Sequence, residues 1–162
     1  MATMRFEAVI GSTLADYVVS TTSGRQVATL LRNTWPREPW QLDFEGRQYL
    51  IWHKVATNKM FLNDYRYALM DGEATLASCL AKPATRTTDV TIGDGSYRLV
   101  RRGFLFSIRY ALEDGNGRPL GTIAETSGFS LWRRRFLIEV PDTIGGPQAM
   151  FLFYLVANFS FR

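Results

Sequence analysis

The residues Gly145–Arg162, GGPQAMFLFYLVANFSFR, decide the fold. From Ala149 to Val156 every side chain is apolar or aromatic, and Ala157, Phe159 and Phe161 extend the run. The start reads as a helix N-terminus, with Gly146 as cap and Pro147 at the first helical position, where a missing N–H loses no partner. Apolar side chains cover every side of this predicted helix, so it must be surrounded by protein or by lipid. Pro147 to Phe161 would span roughly 22 Å at ~1.5 Å per residue. A bilayer core is roughly 30 Å thick and takes about 20 apolar residues. Asn158 and Ser160 dilute the run, which ends at Arg162. A tail anchor is therefore the weaker reading. The expectation is a core helix over 147–161 that the rest of the chain encloses, with no transmembrane segment.

Working outward, the preceding sequence has the grammar of a β-sheet. Short β-branched or alternating runs recur at Met4–Ile10, Tyr17–Thr21, Gln41–Glu45, Arg47–Lys54, Lys59–Asn63, Tyr65–Met70, Ala74–Ala81, Thr87–Ile92, Tyr97–Arg102, Leu105–Glu113, Leu120–Thr126 and Leu131–Val140. Val27–Leu31 fits strand or helix. Trp35-Pro36-Arg37-Glu38-Pro39-Trp40 reads as a loop or extended segment, because proline supplies no ladder donor. Turn signals separate the runs: Glu45-Gly46, Asp71-Gly72, Asp94-Gly95 and Asp114-Gly115-Asn116-Gly117. Hairpin turns need positive φ, which these residues tolerate. Arg66–Gly72, RYALMDG, echoes Arg109–Gly115, RYALEDG, each running into a further strand. The echo reads as a strand–turn–strand unit used twice, by duplication or by convergent turn chemistry. Ten to twelve short strands with such turns imply a sandwich or barrel.

The chain has 162 residues, one domain of ordinary size over 1–162. Hydrophobic content of 46% and aromatic content of 14% argue against disorder. The lone Cys79 cannot form an intrachain disulfide, which favours a reducing, cytoplasmic setting. No basic segment followed by a continuous apolar run opens the chain, so no signal peptide is expected. A net charge of +4 makes the chain mildly basic and compatible with an anionic partner.

Antiparallel hairpins followed by one wholly apolar C-terminal helix resemble the tubby C-terminal-like fold, the group of tubby proteins, phospholipid scramblases and LURP-one-related proteins. The resemblance rests on DGNGRPLGTIAE (Asp114–Glu125), FSLWRRRFLIEVPD (Phe129–Asp142) and the terminal helix. It implies a closed antiparallel barrel of about twelve strands around a central apolar C-terminal helix. It also implies a non-enzymatic module binding anionic phospholipid or phosphoinositide headgroups, peripherally at a membrane. The chain lacks the acidic calcium loop and cysteine cluster associated with scramblases, so scramblase activity is not expected. Physics agrees with the layout: closure removes sheet edges, and a barrel of a dozen strands is too wide for side chains alone to fill.

Arg98, Arg101, Arg102, Arg133 and Arg135 are the candidate anion-binding residues, because guanidinium forks match phosphate oxygens. In strand geometry Arg133 and Arg135 share a face, while Arg134 joins Trp132, Phe136 and Ile138 on the inward one. The competing reading is a solvated barrel rim partnered by Glu125, Glu139 and Asp142. Trp35, Trp40, Tyr49, Trp52, Tyr65 and Tyr67 cluster in sequence and could sit at a membrane interface, but such residues more often pack. His53, the only histidine, has no Gly-x-Ser-x-Gly or other nucleophile motif around it. Cys79 reads as a buried small hydrophobe, and one His with one Cys makes no metal cluster. Asp71, Asp94 and Asp114 are explained as turn residues. No enzyme activity and no cofactor are expected. The partner is an anionic membrane lipid or, alternatively, a protein docked by a purely structural barrel; nucleic acid is not expected.

Overall fold

Twelve strands run β1 Thr3–Ile10, β2 Asp16–Thr21, β3 Gln26–Leu31, β4 Trp40–Phe44, β5 Arg47–Thr57, β6 Asp64–Asp71, β7 Ala74–Ala81, β8 Thr87–Ile92, β9 Gly95–Arg101, β10 Arg109–Asp114, β11 Pro119–Glu125 and β12 Arg135–Pro141. A 3-10 turn at Asp142–Ile144 leads to the helix α1, Gly146–Phe159. This is a computed structural model, and it describes residues 2–11, 16–32, 39–57, 63–82, 85–103, 107–127 and 133–159. Each strand pairs antiparallel with its neighbours in sequence, and β1 pairs with β12, Phe6 opposite Ile138, to close the barrel. The period-2 pattern sends Thr88, Val90 and Ile92 of β8 inward, and Phe136, Ile138 and Val140 of β12 likewise.

The helix fills the lumen. Ala149 to Ala157 are all buried, none more than 5% exposed. Phe153 meets Tyr17 of β2 and Phe136 of β12 edge-on, each with ring centroids 5.1 Å apart. Tyr154 meets Trp40 of β4 at 5.0 Å and Tyr67 of β6 at 6.0 Å. Phe159 meets Tyr67 at 6.0 Å and Tyr110 of β10 at 6.5 Å. Strands on opposite walls thus touch the same helix, which explains why its sequence needs no polar face. Burying its six or so large side chains contributes on the order of 10 kcal/mol before chain entropy is subtracted.

The boundaries shift where backbone chemistry outvotes composition. Ala149 N–H donates to the Gly145 carbonyl at 3.0 Å, so Gly145 is the cap, Gly146 the first helical residue and Pro147 the second. Gly145 holds φ +92°, a conformation L side chains avoid. Pro147 still loses nothing, because the second N–H of a helix has no internal partner either. Residues 160–161 of the expected helix lie outside the described residues.

Val27–Leu31 is strand, β3. Asp71 and Asp114 are the last strand residues of β6 and β10, and the turns expected at Asp71-Gly72 and Asp94-Gly95 are Gly72-Glu73 and Gly93-Asp94. Gly93 takes φ +56°, and Gly95 already pairs with Ile92. The strand expected from Leu131 begins at Arg135, that from Leu105 at Arg109; 131–132 and 104–106 lie outside the described residues. So do 59–62 of the expected strand Lys59–Asn63, and Asn63 merely precedes β6. Residues 35–38 of the double-proline segment lie outside them too. The sequence echo occupies equivalent places: Arg66 and Arg109 are exposed, Tyr67 and Tyr110 face Phe159, and Leu69 and Leu112 are fully buried.

Candidate functional site

An up-and-down meander separates its connections by end. Residues 22–25, 45–46, 72–73, 93–94 and 115–118, all short, close one end, where α1 also begins. The strand ends that the longer stretches 11–15, 32–39, 58–63, 82–86, 102–108 and 126–134 join in sequence are at the other, where α1 finishes. The first is called the hairpin end and the second the loop end.

Charge sorts between these ends. The hairpin end carries Asp43, Glu45, Asp71, Glu73, Asp94, Asp114 and Asp142 against Arg25, Arg47 and Arg118. Arg25 pairs with Glu45 at 3.4 Å and Arg47 with Asp71 at 2.6 Å. The loop end is the reverse. Arg32 follows β3, Lys54 and Arg66 lie on β5 and β6, and Lys82 and Arg86 flank 83–84. Arg101, Arg102 and Arg109 then bracket 103–108, and Arg133–Arg135 precede or open β12. The described carboxylates at the same depth are Asp16, Asp64, Glu125, Glu7 of β1 and Asp89 of β8, the last paired with Arg98. Asp64 is buried, and Glu125 is committed to Arg134. The helix dipole has the matching sense, with its negative C-terminal end among the cations.

The five arginines singled out from sequence are not one cluster. Arg98 stands apart: it faces Asp89 and Glu113 across the ladder and pairs with Asp89 at 3.5 Å. Alternation from the fully buried Leu99 turns Arg101 inward at the mouth, beside Tyr110, whose hydroxyl burial pushes up in pKa while the Arg101 charge pulls it back. Arg102 reaches the buried carboxylate of Glu113 instead. Sequence reasoning missed two neighbours that the register supplies. Arg86 lies alongside Arg101, whose N–H donates to the Arg86 carbonyl at 2.7 Å; Arg109 lies alongside Arg102, which donates to its carbonyl at 2.8 Å. Arg133 and Arg135 are exposed on the same rim, and Arg135 faces outward because Phe136 faces in. β12 is two strands from β10, roughly 10 Å around the wall. Arg86, Arg101, Arg109, Arg133 and Arg135 have no carboxylate at ion-pair distance among the described residues.

Arg134 takes a different role, foreshadowed by its inward position. Its Nε and Nη2 donate to the two carboxylate oxygens of Glu125 at 3.0 and 3.2 Å, and Nη1 donates to the Tyr17 hydroxyl at 3.4 Å. The guanidinium lies 4.8 Å from the Phe136 ring centre, and its side chain is 3% exposed. Ser127 donates to the same Glu125 carboxylate at 3.1 Å. Burial raises the Tyr17 pKa, partly offset by the Arg134 charge. The network is a satisfied polar insert in the barrel wall, which bidentate geometry makes tolerable.

Other chemistry-bearing residues are placed in packing roles. His53 lies against Tyr67 with centroids 6.2 Å apart. Cys79 is buried, and desolvation pushes its thiol to about 12. Asp114 accepts the N–H groups of Asn116 and Arg118, both at 2.9 Å, as a turn residue does. Trp40, Tyr49, Tyr65 and Tyr67 belong to the core or pack against it, whereas Trp52 is 37% exposed; Trp35 lies outside the described residues. Among the described residues no three His, Cys, Asp or Glu side chains group as metal ligands, and no helix is long and apolar enough to cross a membrane. Family models, curated proteins and solved structures alike give no match to this chain.

Proposed function

We propose that this barrel is a non-enzymatic module of the tubby C-terminal-like kind that binds anionic phospholipid headgroups through the basic rim of its loop end. The observation that carries the reading is the axial sorting of charge, which leaves five rim guanidinium groups without carboxylate partners among the described residues while the opposite end is acidic. Arginine recognises phosphate oxygens with paired donors, and each cation near an anionic leaflet contributes about 1 kcal/mol. Arg101, Arg133 and Arg135, with Arg86 and Arg109, are the groups expected to meet phosphate; Arg98, held by Asp89, and Arg102, held by Glu113, are not. No cofactor is required, and the protein acts peripherally on the cytoplasmic leaflet. The test is co-sedimentation with phosphatidylcholine vesicles, with and without phosphatidylserine, at low and physiological salt. Binding confined to anionic vesicles and weakened by salt is expected, with loss on Arg133→Glu/Arg135→Glu. Absence of binding at low salt overturns the reading and gives the weight to a protein partner.

A further inference from the structure

The outer wall of β3–β7 carries an apolar field that the fold does not use. Alternation turns Leu50, Trp52 and Lys54 of β5 outward, because Tyr49 and Ile51 face in. The ladder aligns Leu31, Gln41, Leu50 and Met70 in one row and Trp52 with Ala68 in the next. Leu31 is 43% exposed and Trp52 37%; with Val55, at 52%, they are the exposed large hydrophobics among the described residues, and all three lie toward the loop end. The following row sets Lys54 directly opposite Arg66 on the same face, both exposed. Like charges so placed repel. Neither has a carboxylate at ion-pair distance among the described residues. An apolar field bordered by an uncompensated cation pair complements an anionic bilayer: aromatic and aliphatic side chains enter the interface while long cationic ones reach the phosphates.

We propose that this wall seats on the anionic membrane, with Leu31 and Trp52 entering the headgroup region and Lys54 and Arg66 sharing lipid phosphate. The inference rests on the lipid-binding reading above and adds to it an apolar anchor on the β5–β6 side, across the barrel from β12, so that the loop end still faces the bilayer but leans toward that side. It is tested on the whole chain with vesicles of phosphatidylcholine and phosphatidylserine at physiological salt. Lys54→Gln/Arg66→Gln is expected to lower the partition coefficient about 30-fold, roughly fivefold per cation. Arg25→Gln/Arg118→Gln removes the same charge from the hairpin end and is expected to change it less than about twofold, because screening at that salt acts within about 8 Å. Acyl-chain-brominated lipid is expected to quench the tryptophan emission of the native sequence more than that of Trp52→Phe. Equal losses in the two double variants, unchanged binding of Lys54→Gln/Arg66→Gln, or equal quenching overturns the pose and leaves the lipid-binding reading standing. A native chain that ignores anionic vesicles overturns both.

Discussion

Phe153→Ala tests the enclosed helix at its most surrounded point. Phe153 is fully buried and lies edge-on between Tyr17 and Phe136, both 5.1 Å away. Removing a buried phenyl ring costs about 3–5 kcal/mol, transfer and cavity together. The two ring pairs each add about 0.5–1.5 kcal/mol beyond area, so the upper half of that range applies, about 4 kcal/mol. The walls on either side are β-ladders that cannot collapse into the space. Against a typical total of about 5–15 kcal/mol this is a large fraction. With a urea slope of about 2 kcal/mol per molar, the midpoint falls by about 2 M. Equilibrium unfolding followed by far-ultraviolet circular dichroism and tryptophan fluorescence measures it, with exposed Leu31→Ala as the control expected to change little. A loss below about 1 kcal/mol for Phe153→Ala would place that ring in a collapsible or solvated setting and refute the enclosed helix.

Arg134→Ala strands the Glu125 carboxylate in the wall and is expected to cost about 3–5 kcal/mol, whereas Arg134→Met/Glu125→Leu recovers most of it, a non-additivity that a double-mutant cycle in urea reads directly. Gly121→Ala directs a methyl group at the Glu139 carbonyl oxygen, 3.0 Å from the Val140 Cα; backbone cannot yield as a side chain would, so thermal melts should show a marked loss of stability, and an unchanged melt contradicts the β11–β12 packing. Tyr17, Tyr110 and Cys79 all hold their protons more tightly folded than unfolded. Their contribution is therefore complete below pH 9 and is lost as pH rises toward 12, starting from the unfolded thiol at 9.0 and phenols at 10.0. Urea midpoints at pH 8 and 10.5 should fall accordingly, and Cys79 should react with a disulfide reagent at pH 8 only once urea unfolds the chain.

Much of this architecture was legible because its determinants are local. An apolar run without a polar face dictates an enclosed helix, and alternation with glycine turns dictates hairpins. Val27–Leu31 stayed ambiguous because five apolar or small residues satisfy either period; pairing with β2 and β4 settles it. The Gly72-Glu73 and Gly93-Asp94 turns each lie one residue from the expected Asp-Gly pair, because positive φ falls on the glycine as the first turn residue, leaving Asp71 in β6 and Gly95 in β9. The rim was only half legible. Which arginines share an end depends on strand direction and register, so Arg86 and Arg109 went unnoticed beside Arg101 and Arg102, and Arg98 was grouped with residues from which Asp89 separates it. The alternation of short and long connections was the available signal. Alternation along the chain also told Arg134 apart from its two neighbours, which is why its inward position was foreseen though its partners were not.

On the proposed function, the loop end of the barrel meets an anionic surface and the hairpin end does not. Amide hydrogen exchange of the whole chain, with and without phosphatidylserine-containing vesicles, tests that most directly. Slower exchange is expected on 52–57, 64–68, 101–103 and 107–110, with 44–47, 71–74 and 114–119 unchanged. Protection of the hairpin end instead, or no protection anywhere with vesicles present, would contradict it.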